Sequence, residues 1–226
     1  MNLYLDIETI PSQSPEVHAR IAETVTCPGN ITKPESIAAW EAEKKPALVK
    51  EAIAKTSFDG SVGHVCCIGW AWDDGQAVSQ WIENVADEAD ALRSVIVTLS
   101  DGVNAERYPA VTIIGHNVTS FDIRFLWQRA IVLGVRMPVW FPRDPKPWGN
   151  DVFDTMTAFA GARGTIGMDR LCLALGMDGK GDIDGSMVAD LWSQGEFEKI
   201  ASYCRDDVLR TREIHRRMMI AYGEAA

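Results

Sequence analysis

The stretch Leu3-Tyr4-Leu5-Asp6-Ile7-Glu8-Thr9 constrains this chain more than any other. Its period-two alternation reads as a β-strand, with Leu3, Leu5 and Ile7 on one face and Asp6 and Glu8 on the other. The apolar face requires a core to pack against. Two carboxylates side by side on a core strand repel each other and lose hydration. A divalent cation removes both costs, and Mg²⁺ or Mn²⁺, which favour oxygen ligands, are the natural candidates.

A chain of 226 residues can bury a core of its own and is read as one domain, 1–226. No apolar run approaches the length of a membrane span, and no basic segment followed by an apolar one suggests a signal peptide. The cysteines are Cys27, Cys66, Cys67, Cys172 and Cys204. Their number is odd and no C-x-x-C pair occurs, so buried free thiols are expected, with neither a disulfide framework nor a zinc site. That usage fits a reducing, cytoplasmic location and no membrane. The net charge of −10 argues against a protein that coats DNA by its overall field. It leaves room for an enzyme whose bound cations meet the phosphate directly.

After Pro11, residues 12–63 form a long polar insertion, with helix signals at Pro34-Glu35-Ser36-Ile37 and from Trp40 to Lys55. Lys33, Lys44, Lys45, Lys50 and Lys55 are balanced there by Glu35, Glu41, Glu43 and Glu51. The insertion therefore reads as a helical excursion with a solvated face, apart from any catalytic grip. His64 to Trp72, the turn Asp73-Asp74-Gly75 and Gln76 to Ile82 read as a hairpin. Asp87 to Leu99 has helical spacing, Val111 to Gly115 is a short strand, and Phe121 to Leu133 is an amphipathic helix stopped by Gly134. Met137 to Trp148 is expected to be loop or short strand. Helical pieces are expected at 151–161, 168–175 and 185–193. A long helix runs from Glu196 to Tyr222, with basic residues toward its end that suit the helix dipole. This order implies an α/β fold with a mixed central β-sheet flanked by helices, the first strand central and backed by the last helix.

Two further motifs join Asp6 and Glu8. Gly115-His116-Asn117-Val118-Thr119-Ser120-Phe121-Asp122 lies at a strand-to-helix junction. Asp122 in the first turn is either an ordinary helix-start carboxylate or a ligand. Tyr203-Cys204-Arg205-Asp206-Asp207 lies on the last helix. Tyr203 and Asp207, at i and i+4, project from one face. Asp206 points elsewhere, and Ile200, Leu209 and Ile214 supply the apolar side.

In this order, Asp-x-Glu, Asn-x-x-x-Phe-Asp and Tyr-x-x-x-Asp resemble the DEDD superfamily of 3′–5′ exonucleases in its tyrosine-bearing (DEDDy) branch. The pattern is similar to the proofreading exonuclease domains of family-B DNA polymerases and their stand-alone homologues. Asp154 in Phe153-Asp154-Thr155-Met156, and Gly179-Lys180-Gly181, add less specific likeness. The histidine branch carries H-x-x-x-x-D, and the residue five before Asp207 is Ser202, so the chain departs from that branch.

The resemblance implies a ribonuclease H-like fold and two divalent metals held by Asp6, Glu8, Asp122 and Asp207, with Tyr203 orienting the attacking water. A phenol is a poor base at neutral pH, so positioning describes its role better. The resemblance also implies that Thr9 and Ile10 meet the last nucleotide through backbone donors and an apolar wedge. Asn117, with His116 as runner-up, would contact it through polar groups. Phe121 is either a stacking surface or a core phenylalanine. The implied reaction is metal-dependent removal of nucleotides from the 3′ end of single-stranded DNA as 5′-monophosphates. DNA is favoured over RNA by that family likeness alone. A DNA polymerase or replication factor is the protein partner it suggests. The alternatives are a 3′–5′ exoribonuclease, a ribonuclease H-type endonuclease, and a non-catalytic module that binds a nucleic-acid end or a polymerase.

Overall fold

A computed structural model describes residues 1–106, 110–146, 149–161, 163–179 and 181–224. The chain begins with β1 (Asn2–Ile10), followed by α1 (Pro15–Thr24), α2 (Pro34–Glu43) and α3 (Lys45–Ala54) of the insertion. A 3₁₀ turn, Lys55–Phe58, returns it to the sheet at β2 (His64–Trp72) and β3 (Val78–Trp81). Next come α4 (Glu88–Ala105), β4 (Thr112–Gly115), α5 (Asp122–Leu133), β5 (Val152–Asp154), α6 (Thr155–Ala160) and α7 (Met168–Ala174). The chain closes with α8 (Val188–Ser193) and α9 (Phe197–Tyr222).

Among the described residues the sheet has five strands in the order β3-β2-β1-β4-β5. β1 is central, as expected, and β1, β2 and β3 form the antiparallel meander. β4 and β5 run parallel to it, which makes the sheet mixed. β5 corrects the sequence reading, which placed a helical piece at 151–161. Three residues are too few to show a period, and Asp154 at once caps α6 by accepting from Met156 N and Thr157 N. Residues 137–146 hold no strand.

One face of the sheet buries Leu3, Leu5, Ile7, Ile68 and Trp70 against Leu92, Val95 and Leu99 of α4 and Ile123, Phe125 and Leu126 of α5. The other face carries Tyr4, Ala71 and Ile114 against Val208 of α9. The close seating of α9 depends on Gly69, which lies opposite Asp6 in the β1–β2 register. A Cβ there would stand 2.7 Å from Cys204 Sγ and 3.3 Å from Cys204 O. Gly134 ends α5 in the left-handed region, φ 64°, where a side chain is strained.

Three smaller expectations are corrected. Leu209 is 39% exposed and does not join the apolar side of α9, while Ile200 and Ile214 are buried. The last turn of α9 holds no basic residue. Its arginines are engaged earlier, Arg212 donating to Asp73 O and Gly75 O, Arg216 to Asp74 and Arg217 to Leu175 O. Of the five cysteines, Cys27 is only half-buried.

Candidate active site

β1 outruns its parallel neighbour. The last β1–β4 pair is Tyr4↔Ile114, and Asp6 and Glu8 lie beyond it. There the edge of β1 meets the start of α5, and Ile7 N donates to Asp122 Oδ1 at 3.0 Å. Asp122 thus takes the place of a strand partner and is held beside Asp6. This is the crevice outside the carboxyl ends of parallel strands, where open α/β sheets place their ligands. The close approach of α9 at Gly69 brings Tyr203, Cys204 and Asp207 to the same spot.

A cleft of about 510 Å³ opens here. Asp6, Glu8, Thr9, His116, Phe121, Asp122, Tyr203 and Asp207 line it. Glu8, Asp122, Tyr203 and Asp207 are all at least nine-tenths buried. Oxygen atoms of Asp6 and Glu8 and the Cys204 sulfur lie within 4.8 Å of one another. Cys204 Sγ donates to Asp6 Oδ2 at 3.3 Å. Arg210 Nη1 donates to Asp207 Oδ1 at 2.8 Å.

The electrostatics follow from that crowding. Burial, then the charges of Glu8, Asp122 and Asp207, push the Asp6 carboxyl well above the usual carboxylate range. Burial is also the main cause at Asp122. Hydrogen bonds from its own N–H and from Ile7 N work against it, and the carboxyl still rises to about 7. Carboxylate oxygens of Asp6 and Glu8, with the Cys204 sulfur beside them, thus form a compact group at β1. Asp122 from α5 and Asp207 from α9 line the same cleft, at an electrostatic cost. Hard carboxylate oxygens of this kind fit Mg²⁺ or Mn²⁺.

Two expected contact residues do not reach the cleft. Ile10 is fully buried among Cys66, Val188, Ile200 and Tyr203, covered by α8 and α9. It is not an apolar wedge. Asn117 is absent from the cleft lining. Its φ of 66° turns the chain toward α5, and its N–H donates to Asp154 Oδ1 at 3.0 Å. His116 lines the cleft, with Nδ1 3.0 Å from Thr155 Oγ1 and Nε2 2.8 Å from Ile166 O. Thr9 Oγ1 donates to Ser57 O at 2.7 Å.

Asp154 proves to organise the strand-to-helix junction. Buried to 1% exposure, it accepts from Asn117 N, Thr119 N and Thr119 Oγ1 as well as capping α6. It ties down the loop that delivers Asp122. Lys180, in the other less specific segment, lies outside the described residues. Sequence reading also missed Arg210, whose i, i+3 spacing from Asp207 was the available signal. It missed the insertion's share as well, since Glu51, Ala54, Lys55, Ser57 and Phe58 all line the cleft. The excursion is therefore not wholly apart from the site.

Residues 60–225 match a family described as a predicted 3′–5′ exonuclease related to the exonuclease domain of PolB. No curated protein matches the chain. In fold, it is similar to the family B DNA polymerase from the hyperthermophilic archaeon Pyrobaculum calidifontis, with a TM-score of 0.59 and 17% sequence identity. The likeness covers 98% of this chain and 24% of the polymerase chain. The α/β fold with its mixed, helix-flanked sheet is thus that of a PolB exonuclease domain, as the motifs implied. With most of its length inside the matched region, the chain belongs to the family of predicted 3′–5′ exonucleases related to the PolB exonuclease domain.

Proposed function

We propose that this protein hydrolyses single-stranded DNA from its 3′ end, one nucleotide at a time, releasing 5′-monophosphates. The observation that carries the reading is the convergence of Asp6, Glu8, Asp122, Asp207 and Tyr203 on one cleft. Three elements well separated in sequence supply them. Asp6, Glu8 and Asp207 would hold one divalent ion, and Asp6 with Asp122 a second. Such a pair supplies charge neutralisation at the phosphate and activation of a water.

The chain's own groups do the rest. Tyr203, on the cleft wall four residues from Asp207, would position the attacking water with its hydroxyl. The Ile7 N–H, with the N–H of Asp122 itself, fixes the Asp122 carboxylate at the cleft. Arg210 steadies Asp207 from α9. His116 has both ring nitrogens engaged, so it forms a wall and does not shuttle protons. Phe121 and the Thr9 backbone border the space for the last nucleotide. The preference for DNA, and for a DNA polymerase or replication factor as partner, rests on the family likeness to PolB.

The test uses end-labelled single-stranded DNA and RNA side by side, with Mg²⁺, with Mn²⁺ and with EDTA. A ladder shortening by single nucleotides from the 3′ end of DNA, abolished by EDTA, is expected. The same ladder on RNA alone would make the protein an exoribonuclease. Internal cuts would make it an endonuclease, and silence on both substrates would leave a binding module.

A further inference from the structure

Phe58 is 72% exposed, although it closes a turn that lines the cleft. A lone exposed apolar side chain needs no explanation; Ile131 and Val139 are also exposed, and neither borders the cleft. Phe58 differs in three respects. Its ring centroid lies 6.2 Å from that of Phe121, at 59°, and Phe121 in turn packs on the buried Phe125 at 5.6 Å. A row of rings therefore runs from the core to the cleft mouth. The turn is also pinned to the end of β1, because Thr9 Oγ1 donates to Ser57 O and Ser12 N donates to Thr56 Oγ1 at 2.8 Å. Thr9 follows Glu8 directly, so the ring is held in register with the carboxylates. Finally, Lys55 on the same turn lines this acid-floored cleft, and its exposed pair with Glu51, at 2.7 Å, holds the ammonium only weakly.

Taking the nuclease reading as its basis, we infer that Phe58 is a stacking surface for a base at the 3′ end of the bound single strand. The insertion supplies it, since residue 58 lies outside the family-matched region 60–225. Every base has a π-face, so a ring of this kind grips without reading sequence, and Lys55 meets the backbone beside it. The acidic floor cannot attract a polyanion by itself. A stacked base and a nearby lysine hold the strand while the carboxylates await their cations.

The experiment measures binding of fluorescent 12-nucleotide single strands, DNA and RNA in parallel, with Ca²⁺ in place of Mg²⁺ to suppress turnover. Phe58→Ala should weaken binding to an intact strand on the order of 5- to 100-fold. Phe58→Trp should bind at least as tightly as the wild type, and Phe58→Leu should resemble the alanine variant. On a strand whose last two nucleotides lack bases, wild type and Phe58→Ala should bind alike. The exposed position predicts unchanged melting temperatures for all three variants. Wild-type affinity of Phe58→Ala for the intact strand would overturn the inference while leaving the nuclease reading standing. So would an equal loss on the abasic strand. Failure of the wild type to bind either nucleic acid would overturn both.

Discussion

Glu88 and Asp6 are carboxylates withdrawn from most of their water in one fold, and their surroundings oppose each other. Glu88 is 2% exposed. Its Oε1 accepts from Val65 N at 2.9 Å and Arg129 Nε at 2.8 Å, and its Oε2 lies 2.7 Å from Arg129 Nη2 and 2.8 Å from His64 Nδ1. Arg129 also donates to Gly60 O at 3.1 Å, joining α4, α5, β2 and the exit of the insertion. Burial pushes the Glu88 carboxyl up, but the hydrogen bonds from His64, Arg129 and Val65 together hold it below its ordinary value. Asp6 has Glu8, Asp122 and Asp207 around it, and its carboxyl is pushed far the other way. The first site is complete within the chain. The second concentrates like charge and carries its repulsion, which a bound cation would relieve under the proposed function.

The largest effect should come from breaking the incomplete site. Asp6→Asn is expected to lower hydrolysis by roughly 10³-fold or more, about 4 kcal/mol or more of transition-state stabilisation. The metal-free melting temperature should stay level or rise, because repulsion is relieved. A large fall in that temperature would place Asp6 with Glu88 among structural groups.

Breaking the complete site should do the reverse. Glu88→Ala leaves the Arg129 guanidinium, 3% exposed, buried without its partner. Loss of one member of such a pair costs about 3–5 kcal/mol. Chemical denaturation should show that loss, while the protein that remains folded still hydrolyses its substrate. A variant as stable as the wild type would remove Glu88–Arg129 from the framework.

The two sites should also give stability opposite slopes with pH. The Asp122 carboxyl stands at about 7 in the folded chain against an ordinary 3.8. A raised folded value means stability that is full below about pH 4 and lost as pH rises through about 7. Glu88, held low, contributes stability present above its unfolded value near 4.3 and lost as pH falls through its folded one. In EDTA, the melting temperature should therefore fall between about pH 4 and pH 7, by up to a few kcal/mol of stability, and level off above. Asp122→Asn, which keeps an oxygen for Ile7 N, should flatten that fall, and added Mg²⁺ or Mn²⁺ should reverse it most at pH 8. A wild-type fall matched by Asp122→Asn would assign the slope to other groups.

How much of this could be read in advance depends on range. β1 was legible from its alternation, and the whole of β2, from His64 to Trp72, from its β-prone run and the turn that follows it, because these signals are local. So was the stop of α5 at Gly134. Asp6 with Glu8, and Tyr203 with Asp207, were legible as pairs because strand and helix spacing places each pair on one face. The Glu88–Arg129–His64 network was not, since its partners lie up to 65 residues apart and none of them sits in a motif. The burial of Ile10 depends on α8 and α9 closing over the end of β1 from far along the chain, which no local pattern announces. Phe58 and Lys55 looked like part of a solvated excursion. Only the hydrogen bonds of Thr9 and Ser12 to that turn reveal where it returns.

The smallest expected effect asks whether position or number of lysines offsets the acidic floor. Lys55 lines the cleft and pairs with Glu51 at 2.7 Å, with both side chains more than half exposed. An exposed pair of that kind holds little of the fold together, unlike Glu88 with Arg129. Lys55→Gln should leave the melting temperature unchanged. If Lys55 meets one phosphate, the same change should lower the slope of log affinity against log salt by roughly 0.7 on a single strand. Lys44 and Lys45 belong to the same insertion but do not line the cleft. Replacing both by Gln should leave the slope and the hydrolysis rate at saturating substrate as they were. Binding across a salt series, again with Ca²⁺ in place of Mg²⁺, separates the two variants. A slope lowered by more than one unit in the double variant would make the insertion's outer helices a clamp on the strand. The relief of the acidic cleft would then be a property of the whole insertion and not of the one turn that β1 holds in place.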